Sequence, residues 1–159
     1  MSPMQFSLLI HFVGLGLIST TIFAGWILTG QYKRSKDWSA KTLHVKSLRA
    51  VGLLSPIGVL VMLVSGIGNM TLGPHPYTLF SDAWLSTKLV FVVLLAAAGV
   101  FFGIKSGRRT KLVHHVAAGS ALDGAEDAIR ALDRQQRWFY IIEAVLLLII
   151  LILSIVKPT

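Results

Sequence analysis

Four stretches of this chain are each about as long as the ~20 apolar residues that carry a helix across a bilayer. They run Phe6–Leu28, Ala50–Leu72, Ala83–Ile104 and Trp138–Val156. Glycine and proline occur inside them, which suits membrane helices because no water competes there for the backbone hydrogen bonds. The expected fold is therefore an all-α, integral membrane four-helix bundle, with residues 1–159 forming a single transmembrane domain. Composition agrees: 54% of residues are hydrophobic and only 14% are charged, against about a quarter charged in a soluble domain. The leader "MSPMQ" has no Lys or Arg, the first run is longer than a signal-peptide core, and basic residues follow it. These features predict a retained span rather than a cleaved signal.

The formal charge of +8 would suit nucleic acid if the basic groups formed one face, but they are segregated by loop. Lys33, Arg34, Lys36, Lys41, Lys46 and Arg49 lie in loop one, and Lys105, Arg108, Arg109, Lys111, Arg130, Arg134 and Arg137 in loop three. Loop two, Gly73–Asp82, has neither Lys nor Arg, and only Lys157 departs from the pattern. No nucleic-acid partner is expected. By the positive-inside rule, loops one and three face the cytoplasm and both termini lie outside. The expected location is a bacterial inner membrane, and the first partner is the lipid bilayer. Trp26 and "WFY" at Trp138 fall near the inner interface and Trp84 near the outer one, where aromatic belts form.

Within loop three, "GSALDGAEDAIRALDRQQR" sets Leu122, Ala125, Ile129 and Leu132 at helical spacing. Ser120 or Asp123 could cap a short amphipathic helix there, acidic early and basic late, before the fourth span. Such a helix would touch head groups or a partner subunit, or else serve as a solvated linker. In loop two, "GPHPYTLF" reads as a turn-rich connection. His44, His75, His114 and His115 read as surface groups, the adjacent pair being poorly spaced for one helical metal site. Gly14, Gly16, Gly58, Gly66, Gly68 and the Gly99–Gly103 pair predict close helix packing. The absence of cysteine excludes disulfides, thiolate metal sites and iron–sulfur clusters. No phosphate-cradling glycine loop and no nucleophile elbow is present.

Three ionisable residues lie inside the apolar runs, where each needs a partner or a purpose. His11 and Lys88 each fall five residues into a span entered from the outer side, so both lie roughly 7–8 Å below the outer boundary at the helical rise. Ser65 and Asn69 are at similar depth. Glu143 falls five residues into the fourth span from the inner side, roughly 15 Å too far away to pair with Lys88. It could bond Ser55 or the carbonyl freed by Pro56, or pair with Arg49 or Arg137. His11 and Lys88 could share an anion, or one could be neutral and bind a metal. Haem is a natural candidate, since imidazole is its common axial ligand and bundle cores hold cofactors. The plainer alternatives are a histidine bonded to a neighbouring helix's carbonyl and a lysine that snorkels outward.

The order of these features resembles a group of small bacterial membrane proteins. It comprises the HemJ-type protoporphyrinogen oxidases, the copper-resistance CopD-type domains and their uncharacterised relatives. The likeness rests on the early histidine of helix one, the "SGIG" ending helix two and "WLSTKLVFVVLL" opening helix three, and spans Phe6 to about Gly107. In the HemJ type, the helix-one histidine and a lysine four residues after a tryptophan are implicated in haem binding and activity. The resemblance thus implies haem b, with His11 and Lys88 as cofactor-binding residues and candidate iron ligands beside Trp84, in electron transfer or porphyrinogen oxidation. Two other expectations stand beside it. One is a non-catalytic subunit or assembly factor of a larger membrane complex, or a homo-oligomer. The other is copper or ion transport, which the lack of Cys and the distance between Met62 and Met70 disfavour.

Overall fold

The computed structural model describes residues 1–72, 83–120 and 123–155, which are helical apart from caps and short turns. There are five helices: α1 (Pro3–Arg34), α2 (Trp38–Gly52), α3 (Leu54–Thr71), α4 (Ala83–Ala117) and α5 (Ala125–Ile155). α1, α2 joined to α3, α4, and α5 give four helical stretches long and apolar enough to cross a membrane. The chain is all-α and multi-pass in character. Loop two with His75, the residue Leu122 and the tail from Val156 lie outside the described residues.

The helix ends follow local chemistry. Ser2 and Gln5 form a reciprocal capping box, the Ser2 hydroxyl accepting from the Gln5 amide at 3.2 Å and Gln5 Oε1 from the Ser2 amide at 2.9 Å. Asp37 caps α2 by accepting from the Ala40 amide at 3.1 Å. α4 ends in a Schellman turn. Gly119 takes the left-handed conformation at φ 74°, and the amides of Gly119 and Ser120 donate to the carbonyls of Val116 and His115. α5 starts directly after Gly124, which also has positive φ, rather than at a Ser120 or Asp123 cap.

Three helices outrun the bilayer. α1 has 32 residues, α4 35 and α5 31, so each measures about 45–52 Å against a hydrocarbon core of ~30 Å. What the charge pattern presents as loops is largely helix: loop one contains α2, α4 runs on from Ile104 to Ala117, and α5 begins at Ala125. The extensions gather at the basic end of the bundle. There Tyr32, Val45, Val113 and Ile129, one from each of α1, α2, α4 and α5, form a small core with Trp38, Leu112 and Val116 packed on it. A second core, inside the apolar runs, joins Ile18, Ile22, Met62, Leu95, Leu147 and Ile150. The molecule thus has two storeys, with α3 confined to the apolar one. Apolar side chains such as Phe23, Leu60, Val100 and Ile104 cover the outside of that storey, as a lipid-facing surface requires.

Packing within the apolar storey is uneven. α1 and α3 touch backbone to backbone: a Cβ on Gly14 would come within 2.9 Å of the Gly58 carbonyl, and one on Gly58 within 2.8 Å of the Gly14 carbonyl. Ser7 Oγ donates to the Ser65 carbonyl at 2.9 Å along the same seam. α4 packs mainly on α5 and only lightly on α3. Gly99 and Gly103 do not make the helix contact that their spacing predicts. A Cβ on Gly103 would meet nothing within 4 Å, and so would one on Gly16. Gly103 faces open space where α4 stands off from α3, and Gly16 lies on the exposed side of α1.

Candidate functional site

At the end opposite the basic residues, the α1–α3 seam fixes His11. Its Nδ1 lies 3.0 Å from Ser65 Oγ. That hydroxyl also donates to the Val61 carbonyl at 2.7 Å. A serine has one hydroxyl proton, so Oγ accepts at the imidazole and Nδ1 carries the ring proton. The hydrogen-bond network therefore assigns the tautomer whose free lone pair is on Nε2. Gly66 lies beside the ring, 3.9 Å from Cε1 if it bore a Cβ.

Lys88, near the start of α4, stands at the same end of the bundle as His11, near the start of α1. Lys88 and Trp84 are both half-buried and stand four residues apart, on one face of α4. Asn69 is one turn beyond Ser65 on α3, and its Oδ1 is buried without a hydrogen-bond partner among the described residues. His11, Ser65, Asn69 and Lys88 thus belong to one end of the bundle. Among the described residues no group of three His, Cys, Asp or Glu side chains could hold a metal ion.

Glu143 behaves differently from expectation. It is fully buried, yet neither carboxyl oxygen has a hydrogen-bond partner among the described residues. It bonds neither Ser55 nor Arg49 nor Arg137. Its Oε1 and Ser55 Oγ lie 3.7 and 4.0 Å from the place a Gly99 Cβ would take, so the two groups flank Gly99 without meeting.

A second polar group lies deeper toward the basic end. Arg109, on α4, is 1% exposed and meets the Asp133 carboxylate of α5 at 3.2 Å, and its guanidinium carbon stands 5.2 Å from the Tyr32 ring centroid. Lys41 Nζ caps the group, 4.3 Å from the Trp38 ring. Sequence reasoning counted Arg109 only as a topology marker. The signal that would have found it is the helical spacing of Arg109, Val113 and Val116, which puts the arginine on the face that becomes core.

A large opening among the described residues has a different location from the His11 group. A cavity of about 820 Å³ separates α3 from α4 and runs toward the basic end. None of His11, Trp84 and Lys88 lines it. A comparison with family models, curated proteins and solved structures returned no match.

Proposed function

We propose that this chain is a b-type haem or porphyrin protein of a bacterial inner membrane, working in electron transfer or porphyrinogen oxidation. The observation that carries the reading is the His11–Ser65 bond. A histidine that binds metal donates its other ring N–H to a neighbouring acceptor, which fixes the tautomer and raises the basicity of the ligating nitrogen. Ser65 gives His11 that arrangement and leaves Nε2 free. Lys88 would hold a propionate through its ammonium or, as the neutral amine, supply a second ligand to the iron. Trp84, on the same helical face, supplies a wall. Bound haem would contribute the one-electron centre, and the chain contributes ligand identity, charge and exclusion of water.

The orientation belongs to the same proposal. Thirteen basic residues at one end support placing loops one and three, and with them the small storey, in the cytoplasm, with both termini outside. The first turns of α5 then form the amphipathic segment of the cytoplasmic loop, its Ala125 and Ile129 buried against neighbouring helices.

The test is a visible spectrum of the protein purified from haem-supplemented cells. A Soret band that is lost or displaced in His11→Ala supports the assignment. No Soret band, or one that His11→Ala leaves untouched, removes it and leaves the accessory-subunit reading.

A further inference from the structure

The cavity between α3 and α4 lies at the opposite end of the bundle from His11, and the haem reading does not use it. Its walls change character along its length. Toward the middle of the bundle it is bounded by Val59, Leu60, Leu63, Leu95 and Val100; toward the basic end by Ser106, Thr110 and Gln136; and at its mouth by Arg49, Lys111, His114 and His115. No Asp or Glu is among its lining residues. The two lips are open to the outside, Leu60 being 62% and Val100 66% exposed, so the groove opens sideways onto the surface that faces lipid. Its α4 wall is open at the glycines: a Cβ on Gly103 or Gly107 would meet nothing within 4 Å.

From this gradient we infer that the groove is a binding site for one membrane lipid with an anionic, phosphate-bearing head group. Charge complementarity selects the occupant. A slot that is apolar in the depth of the bilayer and purely basic at the interface matches a molecule with acyl chains at one end and a phosphate at the other. Basic pockets between membrane helices on the cytoplasmic side are sites of this kind. Arg49 ends α2 at the start of the third helix's apolar run, and Lys111 lies two turns beyond the end of the fourth helix's run. The two cations therefore stand at head-group level rather than inside hydrocarbon. Thr110 and Gln136 offer neutral hydrogen-bonding groups between the cations and the chains.

The experiment is native mass spectrometry of the full chain released from detergent, titrated with phosphatidylglycerol and with phosphatidylcholine of identical chains. The expected result is one retained phosphatidylglycerol per protein at about tenfold lower lipid concentration than phosphatidylcholine, as removal of one or two interfacial cations is worth. Arg49→Gln with Lys111→Gln removes the preference. Gly103→Leu, whose side chain enters open space, abolishes retention of both lipids while leaving the melting temperature without lipid unchanged. Equal retention of the two lipids by the wild type overturns the proposal, and so does retention that survives Gly103→Leu, which would put the lipid elsewhere. Inorganic phosphate that displaces the bound lipid or reproduces its stabilisation would show a free-anion site and overturn the lipid assignment. Should the double variant fail to fold, Lys111→Gln alone decides the charge dependence.

Discussion

The guanidinium of Arg109 and the carboxylate of Asp133 meet at 3.2 Å with the arginine 1% exposed, which ties α4 to α5 just where both leave the apolar storey. A buried pair of this kind costs much of its attraction in desolvation, but removing one member strands the other. Asp133→Ala is expected to destabilise the protein by about 3 kcal/mol in a detergent melting curve. Arg109→Leu with Asp133→Leu should recover most of that loss. A double variant as unstable as Asp133→Ala would show that the pair contributes more than mutual neutralisation.

Gly25 and Tyr140 define a second prediction. A Cβ on Gly25 would fall 2.5 Å from the Tyr140 ring, and Tyr140 is 5% exposed and held among its neighbours. Gly25→Ala should therefore cost about 1–3 kcal/mol, the usual range for overpacking. Gly16→Ala, with nothing within 4 Å, should leave the melting temperature within the scatter of the wild type. Equal behaviour of the two variants would contradict the packing described for α1 and α5.

The orphaned carboxyl of Glu143 gives a prediction of opposite sign. An unsatisfied buried polar group costs about 1–3 kcal/mol, so Glu143→Leu should raise the melting temperature. A fall on Glu143→Leu would mean that the carboxyl makes an interaction in the membrane that outweighs its burial.

Ser65 tests the imidazole without removing it. Ser65→Ala deletes the acceptor at Nδ1 and frees the ring to change tautomer. Haem affinity measured by titration of the apoprotein should fall about 10–100-fold, the usual effect of losing such a partner, while His11→Ala removes binding. Unchanged affinity in Ser65→Ala would argue that His11 is held structurally and ligates nothing.

The lack of native cysteine makes orientation directly measurable. Ser2→Cys and Ser39→Cys both fall at exposed positions, at opposite ends of the bundle. A membrane-impermeant maleimide added to intact spheroplasts should label Ser2→Cys at once and Ser39→Cys only after lysis. The reverse pattern would invert the proposed topology.

The spans were legible because hydrophobicity over twenty residues is a property of the local chain. Loop one was not, since its six basic residues obscured the helical placement of Trp38, Val45 and Leu48 behind the Asp37 cap. The unsatisfied Glu143 could not be foreseen either. Whether a carboxyl finds Ser55 depends on how α5 is rotated against α3, a tertiary relation that spacing does not encode. The stand-off of α4 from α3 is of the same kind, for the Gly99–Gly103 spacing points equally to a tight seam.

α1, α4 and α5 pass from one storey to the other without a break, whereas the second span is jointed at Leu53. Three continuous rods and one elbow hold the two storeys together. The elbow at Leu53 lies on the α3 side of the lateral slot, so the one interruption in the four long helical stretches falls where the slot is open.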